Sequence, residues 1–169
     1  MRYNKIRSMD ISNGEGIACS LFVQGCSHHC KGCFNPETWA FDGGKEWTKE
    51  IEDKFIELCK NPHIDCVSIL GGEPFEQGEA MYWLLSRLKN EVGKPIYLWT
   101  GYTIEDLIHK DIPRDCLQEN LIDYLIDGEY IDELRDLKLR LYGSTNQRFI
   151  NVKKWLEQMW LRSMKNNDN

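Results

Sequence analysis

Three cysteines, Cys26, Cys30 and Cys33, fall within one short stretch, Gly25-Cys26-Ser27-His28-His29-Cys30-Lys31-Gly32-Cys33. The spacing C-x3-C-x2-C lets three thiolates converge on one centre if the loop wraps around it. Gly25 and Gly32 ease that wrapping, because glycine reaches backbone angles other residues avoid. Iron–sulfur clusters ordinarily take four thiolates. A local set of three would leave one iron open to a substrate, as catalytic metal sites keep a position open. A structural zinc is the chief alternative, with His28 or His29 completing a Cys3His set. Zinc ligands usually come as two separated pairs, however, and no second pair is visible. A cluster that only carries electrons is a third reading, but it has no need of the vacancy.

A second group, Gly71-Gly72-Glu73-Pro74, directly follows the apolar run Cys66-Val67-Ser68-Ile69-Leu70. Two glycines expose backbone N–H and C=O groups at close range, and Pro74 stiffens the turn. Together they suit a zwitterionic group such as an amino acid, its ammonium meeting carbonyls or Glu73. Taken alone, the same residues also read as a tight turn between a strand and a helix. Thr100-Gly101-Tyr102 and Asp127-Gly128-Glu129-Tyr130 are turn signals after two further apolar runs. Gly143-Ser144-Thr145-Asn146-Gln147-Arg148 reads either as a loop before an edge strand or as a polar surface for a ribose and backbone.

The elements that must carry these groups alternate. Strands are expected at Ala18–Val23, Cys66–Leu70, Ile96–Thr100, Tyr124–Ile126 and Arg148–Val152. Helical spacing of apolar residues runs from Lys49 to Lys60 and from Glu79 to Glu91. Thr48 is positioned to cap the first helix, and Thr103 to cap a short one through Leu107 and Ile108. This alternation predicts an α/β fold with a mainly parallel sheet. A complete eight-stranded β/α barrel needs about 200 residues or more, so the expectation is a partial, open β/α barrel of about five or six strands. The cysteine loop and the glycine turn then lie on one rim, at strand C-terminal ends. Cys19, Cys59 and Cys66 read as packing residues, and Cys116 as a loop thiol.

The whole chain, residues 1–169, is expected to form a single domain, with residues 152–169 as an amphipathic helix or tail. Hydrophobic residues make up 41%, which speaks against disorder, and the net charge of −6 speaks against a nucleic-acid binder. No apolar run is long enough to cross a membrane, and the first residues lack the apolar stretch of a signal peptide. A cytoplasmic protein with reduced thiols is expected, so seven cysteines point to metal or redox chemistry rather than disulfides. Basic residues gather between Lys138 and Lys165: Lys138, Arg140, Arg148, Lys153, Lys154, Arg162 and Lys165, against Glu157 alone. They read as a solvated face or, with Lys153 and Lys154 in mind, as a docking surface for an acidic electron donor.

The C-x3-C-x2-C loop together with Gly71-Gly72-Glu73-Pro74 resembles the radical S-adenosylmethionine superfamily. More narrowly, the chain resembles the activating proteins of anaerobic (class III) ribonucleoside-triphosphate reductase. The stretches that carry this likeness are Asp10–Gly16, Cys33-Phe34-Asn35-Pro36-Glu37-Thr38-Trp39, Trp99–Tyr102, Asp127–Tyr130 and Gly143–Arg148.

The resemblance implies a [4Fe–4S] cluster on Cys26, Cys30 and Cys33, and S-adenosylmethionine as the second cofactor. Gly32, Cys33 and Phe34 would lie against that cofactor, the aromatic near its adenine. Gly71, Gly72 and Glu73 would meet its amino group, and Pro74, Thr100 and Asp127 complete the candidate binding set. It further implies an oxidoreductase that takes an electron from reduced flavodoxin or ferredoxin, cleaves S-adenosylmethionine and leaves a radical on a glycine of the reductase. Another radical S-adenosylmethionine enzyme, acting on a different glycyl-radical protein or on a small molecule, is the neighbouring reading. Tyr142 departs from the family, where arginine is common, and Glu73 stands where relatives often carry aspartate. The tail after Val152 lies outside the resemblance.

Overall fold

A computed structural model describes residues 1–167; Asp168 and Asn169, the end of the predicted tail, and the side chains of Lys165, Asn166 and Asn167 lie outside the described residues. Seven strands form one open sheet: β1 (Arg2–Asp10), β2 (Ala18–Gln24), β3 (Lys45–Glu46), β4 (Cys66–Gly71), β5 (Ile96–Trp99), β6 (Tyr124–Asp127) and β7 (Arg148–Asn151). Their order is β3-β1-β2-β4-β5-β6-β7. Strands β2, β4, β5 and β6 are mutually parallel. The flanking pairs β1–β2, β1–β3 and β6–β7 are antiparallel.

The expected helices are found at α1 (Lys49–Lys60) and α2 (Glu79–Glu91). Thr48 caps α1 by accepting the Ile51 backbone N–H at 3.4 Å. Met81, Leu84, Leu85 and Leu88 of α2 recur at helical spacing and are fully buried. Thr103 opens the short α3 (Ile104–Leu107) with a capping box closed by Asp106. These helices cover one face of the sheet, where Cys19, Leu21 and Val23 of β2 meet Phe55, Ile56 and Cys59 of α1 in a single core.

Among the described residues the other face carries no α-helix in its core cluster. Along β2 it presents Ala18, Ser20 and Phe22, since side chains alternate across a strand. Residues 11–17 are laid over its lower part. Asp10 is buried and accepts the Ser12 N–H at 2.9 Å and the Asn13 side-chain amide at 2.7 Å. The Ser68 hydroxyl donates to the Asn13 carbonyl. Leu141 and Tyr142 pack against Ala18, Cys66, Tyr97 and Ile126 on the same face.

Four expectations need correction. The sheet has seven strands rather than the five or six expected, because Arg2–Asp10 and Lys45–Glu46, for which no strand was expected, also join it. The charged side chains of Arg2–Asp10 belong to a flank covered only by the two residues of β3. The last strand, β7, runs antiparallel to β6 rather than parallel. Cys116 is no loop thiol: it is fully buried on α4 (Asp111–Gln118). Pro113 occupies the first turn of α4, where a missing N–H costs little. The basic residues from Lys138 onward do not share one face. Arg148 is bound to Asp127 and Glu105, whereas Lys153 and Lys154 line a cavity with Lys89, Pro95 and Asn120. Cys19, Cys59 and Cys66 are buried, as packing residues should be.

The C-terminal helix α5 (Val152–Asn167) packs Trp155 and Leu156 on the core and leaves Met159, Trp160, Leu161 and Met164 exposed.

Candidate metal centre and cofactor cavity

The cysteine loop leaves the C-terminal end of β2 and is tied at both ends. Gly25 N–H donates to the Thr38 carbonyl at 2.8 Å and Cys26 N–H to the Trp39 carbonyl at 3.1 Å. Pro36–Thr38 forms a single 3-10 turn, locked by the buried Thr38 hydroxyl donating to the Asn35 carbonyl at 2.7 Å. The Gln24 side-chain amide donates to the Glu37 and Ala40 carbonyls. The Asn-Pro-Glu-Thr-Trp stretch therefore closes the loop into a ring of backbone. His29 sits at φ +49°, a left-handed conformation uncommon for a residue with a side chain, and its ring rests 4.8 Å from that of Trp39.

The turn after β4 grips the same loop from the other side. Glu73 is buried, and its carboxylate accepts the Phe75 N–H at 3.0 Å, the Thr100 hydroxyl at 2.9 Å and the Gly101 N–H at 2.8 Å. His28 Nε2 stands 3.6 Å from Glu73 Oε2, an ion-pair distance, while its Nδ1 lies 2.6 Å from Glu129. These carboxylates, Glu73 before Glu129, outweigh burial and hold the imidazole pKa up at about 9. Glu76 accepts the Ser27 N–H at 2.9 Å, the Ser27 hydroxyl and the Tyr102 hydroxyl. There is no room beside Gly72, where a Cβ would press into the Gly25 backbone.

Cys26, Cys30 and Cys33 line one small cavity of about 140 Å³ together with Phe34, Gly71, Gly72, Glu73 and Thr100. Of the sequence-predicted residues, Gly32, Pro74 and Asp127 are not on its wall. Gly32 turns at φ +75° against Asp132, and Pro74 is buried at the start of the 3-10 turn Pro74–Gln77. Asp127 is buried, accepting the Ile104 N–H at 2.8 Å and the Arg148 Nε–H at 2.9 Å. It braces β6 and β7 at the rim. Phe34 is 57% exposed, its ring 5.0 Å from Tyr130 and packed over Gly143, where a Cβ would lie 2.6 Å from that ring.

The three thiols face a common cavity; among the described residues no group of three Cys, His, Asp or Glu side chains is placed to hold a single metal ion. Burial pushes the Cys26 thiol up to about 11 and raises that of Cys30. Opposing this, backbone N–H groups of His28 and His29 point at Cys26, that of Tyr130 at Cys30, and that of Asn35 at Cys33. Such donors favour the thiolate form a metal requires. The residues therefore fit an iron–sulfur cluster held by three ligands.

Above the sheet the small cavity adjoins a larger one of about 440 Å³. The two share Phe34, Asn35, Leu70, Trp99, Tyr130 and Gln147. Sequence reasoning did not single out Glu76, and it reached Tyr130 and Gln147 only as members of the Asp127–Tyr130 and Gly143–Arg148 stretches. Gln147 had a signal, the polar Ser144–Arg148 run; its side chain accepts the Gly143 N–H and donates to the Gly128 carbonyl. Glu76 had none, since its partners Ser27 and Tyr102 are distant in sequence.

Comparison with known proteins gives a consistent result. The family described as a 4Fe-4S single cluster domain matches residues 12–150. An anaerobic ribonucleoside-triphosphate reductase-activating protein of Vibrio cholerae is 41% identical over 155 residues, covering 87% of this chain and 96% of that protein. One of Salmonella typhi is 38% identical over 152 residues, with 87% and 96% covered. One of Enterobacteria phage T4 is 32% identical over 154 residues, with 88% and 92% covered.

Proposed function

The chain belongs to the family of anaerobic ribonucleoside-triphosphate reductase-activating proteins, and from that premise we propose that it holds a [4Fe–4S] cluster on Cys26, Cys30 and Cys33 and uses it to activate the reductase. The observation that carries the assignment is the convergence of these three thiols and the Gly71–Glu73 turn on one cavity. We read the open sheet as a partial β/α barrel of the radical S-adenosylmethionine type, forming one domain over residues 1–169.

A cluster held by Cys26, Cys30 and Cys33, together with S-adenosylmethionine, would supply the one-electron radical chemistry needed to activate a glycine of the reductase. The protein's own residues bind, orient and shield. Three cysteine ligands would leave one iron of such a cluster open to the cofactor. The Gly71 and Gly72 backbone faces the same cavity, and Glu73 lends its charge from below while its oxygens stay engaged with Phe75, Thr100 and Gly101. Phe34 and Tyr130 offer flat apolar surfaces for an adenine. Leu70 and Trp99 keep the floor dry, which limits loss of a reactive radical to water. Reduced flavodoxin or ferredoxin is the electron donor in this reading, and the cytoplasm its compartment, where thiols stay reduced. Among the described residues no helix is long and apolar enough to cross a membrane.

Anaerobic reconstitution with iron and sulfide, followed by dithionite and S-adenosylmethionine, should yield 5′-deoxyadenosine, and Cys26→Ala should abolish it. A fully loaded cluster that gives no product, even with the reductase present, would overturn the reading in favour of an electron carrier.

A further inference from the structure

The larger cavity opens on the face of the sheet opposite α1 and α2. Phe22, Leu70 and Trp99 of β2, β4 and β5 form its floor. Its walls come from the two ends of the sheet: Arg7, Ser12 and Asn13 from β1 and the loop after it, and residues 136–143 from the segment before β7. A closed barrel would bridge these ends with further strands; here they leave a gap.

Two properties of that gap point to a polypeptide partner. The first is apolar. Ile11 and Leu137 are 82% and 81% exposed, more than any other large hydrophobic side chain among the described residues. Leu137 lines the cavity and Ile11 adjoins Ser12. Single exposed apolar residues are ordinary. Two on the loops that frame one cavity, with Leu134 and Phe34 also exposed, form an apolar rim of the kind found at interaction sites.

The second is charge. The chain carries a net −6, yet Arg7 lines the cavity and Arg135, Lys138 and Arg140 lie on the segment whose Asp136, Leu137, Leu139 and Leu141 wall it, with Asp136 the only acid between Leu134 and Tyr142. Asp136 is engaged locally, accepting the Lys138 N–H at 2.8 Å. Arg7 pairs with Asp10, and Arg135 lies over the Phe34 ring. Lys138 and Arg140 are exposed and belong to no ion pair among the described residues.

The rim is also held in place. Asp136 N–H donates to the Gly143 carbonyl at 3.1 Å, Thr145 N–H to the Leu134 carbonyl at 2.9 Å, and the Trp99 indole to the Leu141 carbonyl at 2.6 Å. Leu141 is kept at φ +73°, a conformation a leucine adopts only when its surroundings impose it.

We infer that this rim is where the reductase docks, through an acidic segment whose carboxylates pair with Lys138 and Arg140 and whose apolar side chain seats between Ile11 and Leu137. The inference rests on the function proposed above. The reductase is favoured over an acidic electron donor because its glycine must enter the cavity that the rim frames, whereas a donor need only approach the cysteine loop from outside.

The test uses the full chain, loaded with its cluster under anaerobic conditions, and the purified anaerobic reductase of the same organism. Binding is read by biolayer interferometry and the glycyl radical by electron paramagnetic resonance. Lys138→Glu with Arg140→Glu should weaken binding about tenfold at low ionic strength and approach the wild type at high salt, where the pairing is screened. Lys138→Gln with Arg140→Gln should fall between. Ile11→Ser should weaken binding at every salt concentration. All three should retain iron and cleave S-adenosylmethionine at the wild-type rate without reductase. Variants that bind and activate the reductase like the wild type would overturn the inference while leaving the proposed function intact. So would variants slowed only in reduction by flavodoxin. A wild-type chain that neither binds nor activates the reductase would overturn both.

Discussion

Glu76 holds Ser27: one carboxylate accepts both the Ser27 backbone N–H, at 2.9 Å, and its hydroxyl, and Tyr102 adds its own hydroxyl at 3.1 Å. Ser27 lies between the first two thiols, so the turn after β4 sets the shape of the cysteine loop before any metal binds. Glu76→Ala should speed amide exchange at residues 26–30 in the metal-free protein and shorten the cluster's lifetime against a chelator several-fold. Its global stability should fall by about 1–3 kcal/mol, since three partly exposed hydrogen bonds to one carboxylate are lost. Glu76→Gln keeps an acceptor oxygen and should lie between. A cluster lifetime unchanged in Glu76→Ala would remove this role.

The cysteines divide into two groups by position. Cys30→Ala should lose most of its iron and its cluster absorbance after reconstitution. Cys116→Ala should keep both and lose about 1 kcal/mol of stability, since it removes a buried sulfur from α4. Iron analysis and thermal melting of the two variants separate the cases. Equal iron in both would refute the ligand assignment.

Gly72 is confined by the Gly25 carbonyl and backbone. Gly72→Ala should push the turn away from the cysteine loop, cost about 1–3 kcal/mol by overpacking and abolish 5′-deoxyadenosine formation. Substituting Gly93, which has open space around it, should leave product formation unchanged, although its φ of +68° makes alanine mildly unfavourable. Full activity in Gly72→Ala would show that the close approach is dispensable.

Lys153 and Lys154 sit with Pro95 and Asp123, the residues that precede β5 and β6. That is the N-terminal end of the parallel strands, about 20 Å from the thiols if β4's six residues rise roughly 3.3 Å each. A donor bound there would be poorly placed to reduce the cluster. Lys153→Glu with Lys154→Glu should therefore leave the rate of cluster reduction by flavodoxin unchanged at low salt. A marked slowing would restore the donor surface read from the sequence.

Much of this protein was determined by its sequence alone, wherever a property is local. The three cysteines and their spacing raise the expectation of a three-ligand cluster with one open iron, whatever surrounds them. Helices α1 and α2 follow from apolar periodicity and the Thr48 cap, and the parallel core strands from short apolar runs bounded by turn residues. Tertiary structure decided what depends on pairing between distant segments. Arg2–Asp10 is a strand because β2 offers it an edge, not because its charged residues favour one. Asp127 turned from a candidate cofactor contact toward a brace because folding sets Arg148 and the Ile104 N–H beside it. Glu76 and Ser27, 49 residues apart, meet only when two strand ends lie on one rim. The basic C-terminal stretch looked like one surface in sequence, but β7 and α5 carry its residues to opposite ends of the sheet. Charge and hydrophobicity are written in the chain; which of them face the same space is set by the packing of the sheet.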